Sequence, residues 1–417
     1  MRIGIDDTDA PDGMCTTYLG AVLSRELAGH GFRVGIPRLL RLNPNVPWKT
    51  RGNAAICIEA EGDPEEAFRI ACGCVDELAV LEAEATHPGV AVVEDPPDPA
   101  FYRKALQDFC TVEEAREVLE AAGARSRGWK LGRGLIGAAA AVSADLPDTT
   151  WELLAYRTPA RWGTGREIDP LSFFLSEDAS TPHTWDTVDR SQGIVVCSPH
   201  TPDPVLFGIR GESPWWVTYA RSFLVTEPPW MEQLYLTNQS TDAHLREGRI
   251  GALSDGRSYR VPGMVAGGAE TGPGGHVTVP LEEGGTILRC MAYEPTKEFR
   301  DVVRALRAGD RVQACGSYKR GSLNLEKIRV ISVAEDSDER PPVCGACGKR
   351  MTSAGTGKGY KCPRCGARAR NPEVTLHPRT LACGWYEVPP CARRHLARPL
   401  VRGGSDGKSD TVPGNTL

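Results

Sequence analysis

The sequence predicts a multidomain protein that joins an α/β part to an all-β part and a cysteine-rich module. Strand-like and helix-like segments alternate near the start, short strand-like segments crowd the region after residue 234, and two closely spaced cysteine pairs follow. At ~100–200 residues per domain, the length of 417 residues predicts two to four domains. Hydrophobic residues at 41% and charged residues at 25% exclude wholesale disorder, collagen and a coiled coil.

The α/β prediction begins with the N-terminal segments. Residues 2–5 read as a short buried strand, an acidic loop follows, and apolar residues at helical spacing predict a helix that ends near Gly29. Residues 32–42 predict a second strand, which Pro37 interrupts or places on an edge. Residues 54–60 alternate like a third strand. The chain therefore opens with a β-loop-α-β-β pattern.

Four later segments continue this part. Residues 64–82 predict an amphipathic helix, and Thr111 with Glu114 forms a capping box that opens another. Residues 135–142, rich in Gly and Ala, fit either a tightly packed strand or a helix. Proline and glycine cluster at residues 199–229, which predicts loops and a domain border.

The all-β prediction covers about a hundred residues. One helix, at residues 298–307, interrupts a series of short strands, and this pattern fits a small Greek-key barrel of the OB type. Residues 335–342 predict a linker, and residues 403–417 predict a frayed terminus. The strand-like segments are residues 234–238, 258–264, 276–280, 286–293, 311–318 and 325–333.

Charge is distributed unevenly along the chain. The formal net charge is -5, yet residues 340–417 carry fourteen basic and four acidic side chains. A basic tail behind an acidic body suggests contact with a polyanion, and a solvated tail is the alternative. No apolar run reaches the ~18–20 residues of a membrane helix, and the first residues turn acidic too soon for a signal peptide. We therefore expect a cytoplasmic protein that does not engage a membrane.

The strongest spacing signal is a four-cysteine set. Cys344 and Cys347 form one C-x-x-C pair, and Cys362 and Cys365 form a second pair after fourteen intervening residues. Four thiolates close a tetrahedral zinc site, so we expect a structural zinc ribbon without catalysis at the metal. Tyr360 lies among many lysines and arginines of this module, which predicts nucleic-acid binding. A protein-docking ribbon is the alternative.

The acidic loop is the second signal. Asp6, Asp7 and Asp9 follow a predicted strand and precede a predicted helix that opens with Thr16 and Thr17. Carboxylates this close repel one another unless a cation neutralises them, and helix N-termini in α/β folds bind phosphate. The loop therefore predicts a site for a nucleotide with Mg²⁺. An acidic turn that only caps the helix is the alternative.

Two weaker stretches complete the candidates. Lys49 and Arg51 could contact phosphate, and Asn53 could hydrogen-bond a nucleotide or substrate, although a surface loop explains them equally well. Arg166 lies in a glycine-rich turn that could hold a ligand. No G-x-x-x-x-G-K-[ST] sequence occurs, so ATP would be bound without a P-loop.

Several motifs together resemble the archaeal tRNA-isoleucine 2-agmatinylcytidine synthetase family, TiaS. The resemblance spans nearly the whole chain and includes the four cysteines. The motifs that carry it are GIDDTD (4–9), GMCTTYL (13–19), RLNPNVPWKTRGN (41–53), TNQSTDAH (237–244), YEPTKEF (293–299), NLEK (324–327) and ARRHL (392–396).

The resemblance implies an architecture of four domains and a basic C-terminal segment at residues 373–417. A kinase-like ATP domain would be discontinuous and would be interrupted by a ferredoxin-like domain. An OB-fold tRNA-binding domain and a zinc ribbon would follow. The ranges expected are 1–60 and 128–195 for the kinase-like domain, 61–127 and 196–230 for the ferredoxin-like domain, 235–336 for the OB fold and 340–372 for the ribbon.

The resemblance also implies the reaction. Agmatine would be joined to C2 of the wobble cytidine of an isoleucine tRNA with a CAU anticodon, and ATP would be consumed to AMP and phosphate. The product, agmatidine, would pair with A, so the tRNA would decode AUA.

In that reaction ATP would activate the C2 oxygen by phosphorylation, and the amine of agmatine would then displace it. Asp6, Asp7 and Asp9 would hold the metal and phosphates, and Thr16, in preference to Thr17, would be autophosphorylated. The OB domain and basic tail would hold the tRNA.

Two other functions fit the same residues. A metal-dependent RNA nuclease would use the three aspartates to cleave RNA without ATP. A non-catalytic tRNA-binding protein would bind RNA and turn over no ATP. The residues that would bind agmatine are not indicated, and neither is a protein partner.

Overall fold

The computed structural model describes residues 1–11 and 13–403. The predicted frayed terminus lies outside the described residues, except for Gly403. Within the described residues, mixed α/β structure precedes a β-barrel and a small cysteine-bearing sheet. The helices are α1 (Thr16–Gly29), α2 (Pro64–Leu78), α3 (Ala100–Gln107), α4 (Val112–Ala121), α5 (Gly134–Ser143), α6 (Pro170–Ser180), α7 (Pro214–Arg221) and α8 (Phe299–Ala305).

Twelve strands precede the barrel, and ten of them form one large sheet. The twelve are β1 (Arg2–Asp6), β2 (Arg33–Val34), β3 (Arg38–Arg41), β4 (Ala54–Glu61), β5 (Gly89–Val93), β6 (Arg125–Gly128), β7 (Thr150–Tyr156), β8 (Thr184–Trp185), β9 (Val188–Asp189), β10 (Ile194–Val195), β11 (Val205–Gly211) and β12 (Met231–Thr237). The order in the large sheet is β6-β5-β1-β4-β3-β12-β7-β11-β8, and β2 pairs with β4. Strands β9 and β10 pair separately.

The large sheet consists of two antiparallel halves joined by one parallel contact. β3 and β12 meet through only two residue pairs, Arg38 with Leu236 and Leu39 with Thr237. The first half contains β1 to β6, and the second contains β7, β8, β11 and β12. This junction brings the acidic loop after β1 near the second half.

Helices cover both faces of the first half. Alternation along β4 sends Ile56 toward α1 and α2, and sends Ala55 and Cys57 toward α3, α4 and α5. The predicted capping box is confirmed, because Thr111 Oγ1 accepts a hydrogen bond from the Glu114 N–H and Glu114 Oε2 accepts one from the Thr111 N–H. The ambiguous Gly- and Ala-rich segment is the buried helix α5.

The second half corrects one prediction. Residues 199–229, predicted as loops and a border, contain β11 and α7, and β11 is a central strand between β7 and β8. Proline and glycine flank these elements and Gly208 and Gly211 lie inside β11, which explains the misreading. Helices α6 and α7 pack with β7 and β11 around Phe173, Phe207 and Val217.

The strand pairing also groups the chain differently from the expected domain ranges. The expected ferredoxin-like domain combines residues 61–127 with residues 196–230. In the structure β5 and β6 extend the first half from β1, whereas β11 lies beside β7 in the second half. The two ranges therefore contribute to different halves of the sheet.

A β-barrel follows the large sheet. Its strands are β13 (Leu245–Glu247), β14 (Arg257–Val265), β15 (Glu270–Thr271), β16 (Val277–Glu283), β17 (Thr286–Ala292), β18 (Arg311–Lys319), β19 (Ser322–Ser332) and β25 (Gly384–Glu387). Antiparallel pairing of β14 with β16 closes the barrel, and α8 packs on its core through Phe299 and Val303. Residues 234–238, expected in this barrel, belong instead to β12 of the large sheet.

The cysteine module projects from the barrel on a two-stranded stalk. The expected linker is in fact β20 (Asp336–Arg340), and it pairs with a strand after the module, β24 (Glu373–His377). The module contains a three-stranded sheet of β21 (Thr352–Ser353), β22 (Tyr360–Lys361) and β23 (Arg368–Ala369). After β24 the chain returns to the barrel, because β25 pairs with β19. No helix within residues 1–11 and 13–403 is long and apolar enough to cross a membrane.

Candidate functional site

The acidic loop lines a cleft of about 740 Å³, here called the first cleft. It lies between the end of β1, the N-terminal ends of α1 and α5, and the loop that joins β3 to β4. Its lining residues are Asp6, Asp7, Asp9, Thr16, Leu42, Val46, Trp48, Lys49, Thr50, Gly52, Asn53, Ala54, Ala105, Asp108, Phe109, Cys110, Arg133, Ile136 and Gly137.

The three aspartates of the loop line this cleft together. Asp7 has a left-handed backbone (φ 56°), and its N–H donates to Asp6 Oδ1 at 2.7 Å. Burial, with the charge of Asp7, raises the pKa of Asp6 well above its ordinary value. Burial also raises the pKa of Asp7 to about 7, against the opposing charge of Arg133. A bound divalent cation would stabilise the ionised form of these carboxylates. Carboxylate oxygens are also the hard donors that Mg²⁺ prefers.

Asp9 organises the start of α1. Its Oδ1 accepts hydrogen bonds from the Thr16 N–H at 2.5 Å and from Thr16 Oγ1 at 2.9 Å. Thr16 Oγ1 also accepts hydrogen bonds from the Thr8 backbone and side chain. Thr17 differs, because its Oγ1 lies 3.1 Å from Cys15 Sγ and it does not line the first cleft. The carboxylate of Asp9 is therefore positioned to accept a proton from Thr16.

Cations lie around the acidic loop. Arg133 Nε is 3.6 Å from Asp7 Oδ2, and Arg51 Nη2 is 3.6 Å from Asp9 Oδ2. The Lys49 ammonium donates to a backbone carbonyl of its own loop. Lys49 and Arg133 line the first cleft, while Arg51 reaches the neighbouring one. Among the described residues, Lys49 and Arg133 are therefore the two cationic side chains that face the first cleft.

Apolar side chains line the rest of the first cleft. Trp48, Phe109 and Ile136 face the same space as the charged groups. A ligand that joins a flat, apolar ring to a polyphosphate would match this combination of apolar and charged side chains. Sequence reasoning did not identify Phe109 and Arg133, because they lie far from the acidic loop along the chain. Asn53 lines the cleft, and its Nδ2 donates to the Asn43 carbonyl at 3.1 Å.

A second cleft of about 910 Å³ adjoins the first. Both are lined by Asp9, Thr16, Gly52 and Ala54, so these residues form the wall between them. The second cleft reaches across the junction of the two half-sheets. Its lining residues are Asp9, Cys15, Thr16, Thr17, Arg41, Arg51, Gly52, Ala54, Glu152, Leu154, Val196, Cys197, Pro199, Thr201, Asp203, Val205, Gly208, Arg210 and His395.

Arg166 lies apart from this set. Its guanidinium donates to the carbonyl oxygens of Val205 at 2.8 Å and Asp203 at 3.1 Å, and it lines neither cleft. These hydrogen bonds hold the loop before β11, and the glycine-rich turn at residues 163–166 lines a separate cleft of about 1350 Å³.

The four cysteines are brought together. The Sγ atoms of Cys344, Cys347, Cys362 and Cys365 all lie within 4.8 Å of one another. Two of the Sγ–Sγ distances, Cys344 to Cys365 and Cys347 to Cys362, are 3.5 Å. Tetrahedral Zn–S bonds of ~2.3 Å place sulfurs about 3.8 Å apart, so the set fits one zinc ion.

The surface of the cysteine module is basic. Arg350 pairs with Glu373 at 2.9 Å, and within the described residues the other six cations have no carboxylate within 4 Å. The cations are Lys349, Arg350, Lys358, Lys361, Arg364, Arg368 and Arg370.

Family models match three parts of the chain. Residues 2–63 match the TiaS TCKD domain, residues 132–244 match the TiaS FLD domain, and residues 341–381 match the TiaS C-terminal zinc ribbon domain. Together these matches include the acidic loop, the basic loop between β3 and β4, and the cysteine module.

Relatives and solved structures match nearly the full length. The tRNA-isoleucine 2-agmatinylcytidine synthetase TiaS of Methanocorpusculum labreanum is 52% identical over 403 residues, which cover 96% of this chain and 97% of that protein. A crystal structure of TiaS in complex with its isoleucine tRNA and ATP matches with a TM-score of 0.88 and 42% identity, over 98% of each chain. A complex of TiaS with the same tRNA, AMPCPP and agmatine matches with a TM-score of 0.87 and 40% identity, again over 98% of each.

Proposed function

The chain belongs to the tRNA-isoleucine 2-agmatinylcytidine synthetase family, TiaS, and from that premise we propose how its two clefts divide one reaction between them. The chain is an ATP-dependent ligase that attaches agmatine to C2 of the wobble cytidine of the isoleucine tRNA with a CAU anticodon. The agmatidine formed lets that tRNA decode AUA.

One observation carries this assignment: Asp9 and Thr16 belong to the wall that both clefts share. A nucleotide bound in one cleft and an acceptor bound in the other would meet at the same hydroxyl and carboxylate. Group transfer between two bound molecules requires such proximity, because it replaces an encounter in solution.

The first cleft is assigned to ATP. Trp48 and Phe109 would face the base, and Lys49 and Arg133 would face phosphates. Asp6 and Asp7 would hold Mg²⁺, which when bound neutralises negative charge on carboxylates and phosphate oxygens. The raised pKa values of both carboxyls support this role. The neighbouring carboxylates repel one another, burial strengthens that repulsion, and a bound cation would relieve it.

Thr16 is assigned as the phosphorylated residue. Its Oγ1 donates to Asp9 Oδ1 at 2.9 Å, so Asp9 can accept the hydroxyl proton. Thr17 would serve the second cleft only, and its backbone carbonyl accepts a hydrogen bond from the hydroxyl of the buried Tyr235 at 2.6 Å.

The second cleft is assigned to the cytidine and agmatine. Agmatine is a dication at neutral pH and needs carboxylates or carbonyl oxygens. Asp203 lines this cleft, and its one ion-pair partner within 4 Å among the described residues is Arg166, at 3.5 Å. We assign the guanidinium end of agmatine to Asp203, which leaves the amine end for the bond to C2.

The domain division is proposed anew from the strand pairing. The kinase-like domain would comprise the first half of the sheet with α1 to α5, and the ferredoxin-like domain would comprise the second half with α6 and α7. The β-barrel would be the OB fold, and the ribbon would hold one structural Zn²⁺. The six unpaired cations on the ribbon surface, counted within the described residues, support contact with tRNA phosphates.

Mass spectrometry of the tRNA product tests the function. Incubation with CAU-anticodon tRNA, ATP, Mg²⁺ and agmatine should add agmatine with loss of water at the wobble cytidine. Asp7→Ala should abolish the product and leave tRNA affinity nearly unchanged. Cleaved RNA without ATP would favour the nuclease, and bound but unmodified tRNA would favour the non-catalytic binder; either result would overturn the proposal.

A further inference from the structure

The chain beyond the ribbon is part of the body of the molecule. We call residues 384–403 the return segment. It begins with β25, which pairs with β19, and its next residue Val388 donates its N–H to the Glu326 carbonyl at 3.2 Å. It then runs across the barrel to the loop after β12, where the Ser240 N–H donates to the His395 carbonyl at 2.7 Å.

Acidic groups of the body hold the arginines of this segment. Arg393 pairs with Asp186, and also with Glu387 at 2.7 Å. Arg402 pairs with Asp148 at 2.5 Å. Arg393 and Arg402 are therefore already paired with carboxylates, whereas Arg394 donates to the neutral oxygens of Asn45 and Ser317. The expectation of a free basic tail for tRNA does not apply to the paired arginines of this segment. The segment instead contributes one side chain to the lining of the second cleft.

That side chain is His395. Its Nδ1 lies 2.7 Å from Nη2 of Arg210, and because arginine can only donate, Nδ1 must be the acceptor. The proton of the neutral ring is therefore on Nε2. Within the described residues, no protein group hydrogen-bonds Nε2, and the ring lines the second cleft. His395 thus has one free donor to offer a ligand there.

Arg41 lines the same cleft and lacks an anionic partner. Its Nε donates to Gln239 Oε1 at 3.2 Å, and its guanidinium packs against Gly52. In the part of the chain that the structure describes, no carboxylate lies within 4 Å of it. Burial lowers the pKa of Arg41, and the charge of Arg210 lowers it further, against the opposing charge of Glu152 in the same cleft. A half-buried cation in this state attracts an anion.

The electrostatics of His395 agree with this. Burial lowers its pKa well below the ordinary value, and Arg41, Arg210 and Lys49 lower it further. The ring therefore stays neutral, and it acts through hydrogen bonding without adding charge. Arg210 is paired with Glu152 at 3.1 Å, so its task is to hold the ring, and Arg41 supplies the unbalanced charge. A methyl group added at Gly52 would lie 2.6 Å from Arg41 Nη1 and 3.8 Å from His395 Cδ2, so the two side chains approach the same point of the cleft. A cation and an N–H donor placed in this way can bind a single phosphate.

Resting on the proposed function, we propose that Arg41 and His395, with Arg210 holding the ring, bind the RNA phosphodiester next to the wobble cytidine and so position its base at Thr16. The anion is an RNA phosphate, because Arg41 and His395 line only the second cleft, whereas ATP is assigned to the first. The ARRHL motif would thereby act in substrate positioning.

Two substitutions of His395 separate this role from a structural one. His395→Asn keeps an amide oxygen within reach of Arg210 and removes the Nε2 donor, whereas His395→Gln returns a donor near the Nε2 position. For His395→Asn, kcat/KM for tRNA should fall about tenfold to a hundredfold, the size expected for a hydrogen bond to a charged group. KM for ATP and KM for agmatine should not change, and His395→Gln should recover most of the loss.

A chemically modified tRNA identifies the ligand. Neutral methylphosphonates replace, one at a time, the phosphates on either side of the wobble cytidine. One of them should weaken the wild-type reaction as His395→Asn does, and should weaken the His395→Asn enzyme little further. Arg402→Gln, which loosens the return segment outside the cleft, should lower stability and leave the full methylphosphonate effect.

The outcomes are distinct. Normal tRNA kinetics in His395→Asn would overturn the inference, as would equal losses in both substitutions with the full methylphosphonate effect retained. A raised KM for ATP would show that the anion is an ATP phosphate and would also overturn it. If the wild-type enzyme forms no agmatidine, the proposed function fails before this question arises.

Discussion

Thr16 and Thr17 are adjacent hydroxyls with different surroundings. Thr16 lies in the shared wall and donates to Asp9, whereas Thr17 contacts Cys15 and lines only the second cleft. The sequence alone does not separate the two, because both open the same helix. The hydrogen bond to Asp9 does separate them, since proton removal requires a base within about 3 Å.

This difference predicts that substitutions of Thr16 and Thr17 reduce activity to different extents. Thr16→Ala should reduce agmatidine formation by at least about a hundredfold, the lower end of the contribution of proton transfer to a positioned base, because Asp9 is left without the hydroxyl that it deprotonates. Thr17→Ala should retain measurable activity, and Thr16→Ser should restore activity because it keeps the hydroxyl. Rates of tRNA modification measured under single-turnover conditions check this. Equal losses at both positions would contradict the assignment.

Residues close together in the sequence were the predictable part of the site. Asp6, Asp7, Asp9 and Thr16 occupy one loop and one helix start, so their spacing already indicates a shared site. Arg41 and His395 are 354 positions apart in the chain, and only the fold brings them to one cleft. Arg166 was also expected to bind a ligand, and it lines neither of the two clefts, because its guanidinium donates to the carbonyl oxygens of Val205 and Asp203.

At the scale of single elements, α5 shows how packing supports the acidic loop. Helix α5 lies directly against the end of β1, and this close approach depends on glycine. A methyl group added at Gly137 would lie 1.8 Å from Oδ2 of Asp6. Gly73 of α2 provides the contrast, because it is exposed and nothing lies within 4 Å of an added methyl.

Matched glycine substitutions should therefore have opposite effects. Gly137→Ala should destabilise the protein by about 1–3 kcal/mol through overpacking and displace Asp6, with loss of activity. Gly73→Ala should stabilise the protein by about 0.5–1 kcal/mol, because alanine favours the helix. Urea unfolding and agmatidine assays on both variants check this. A Gly137→Ala enzyme with full activity would show that Asp6 tolerates displacement.

The positions of individual helices and strands were more predictable than the strands with which they pair. The capping box at Thr111 is a local signal, and it marked the start of α4 correctly. Residues 234–238 alternate as a strand, but alternation does not say which sheet the strand joins, and β12 pairs with β7 and β3. The prediction of loops at residues 199–229 was wrong where β11 and α7 lie, because proline and glycine also flank buried strands such as β11.

At the scale of the whole molecule, the ribbon is an insertion on a stalk. Arg340 and Glu373 are opposite one another in the β20–β24 pair, so an Asn-Gly turn could join them as a hairpin. This excision removes residues 341–372, with seven basic and no acidic side chains. This excision keeps the return segment in the chain. Ending the chain at residue 340 would remove the return segment together with the ribbon.

The two deletions should behave differently. Excision should weaken tRNA affinity and flatten its dependence on salt, because fewer counterions are released, while the body stays folded. Ending the chain at residue 340 should also lower the urea midpoint and abolish modification, since β25 and His395 are lost. Affinity at two salt concentrations and urea unfolding check this. Equal stability in the two variants would contradict an integral return segment.

The barrel and the segment that enters it from the large sheet also meet through a buried contact between a histidine and a glutamate. His244 Nε2 lies 3.1 Å from Glu326 Oε1, and both side chains are buried. Burial opposes ionisation of Glu326, but His244, Arg394 and Lys327 outweigh it and hold the pKa of Glu326 at about 2. The folded state therefore binds the proton less tightly than the unfolded chain, in which the pKa is near 4.5.

Because the carboxyl pKa is lower in the folded state than in the unfolded chain, the free energy of unfolding decreases as the pH falls. The ionised Glu326 should contribute about 3 kcal/mol above pH 4.5, and this contribution should be lost as pH falls from 4.5 toward 2. Glu326→Gln should therefore lower the free energy of unfolding strongly at about pH 7 and less at about pH 3. Urea unfolding at both values checks this, and a penalty that does not change with pH would contradict the pairing.

The return segment also has a consequence for how the protein is made. Arg394 contacts Asn45 and His395 completes a cleft whose other residues lie within the first 210 positions. At ~5–20 residues per second, a ribosome needs roughly 20 to 80 seconds to pass from the acidic loop to His395. A nascent chain can therefore fold its first sheet long before its cleft is complete, so an unfinished chain would not modify tRNA.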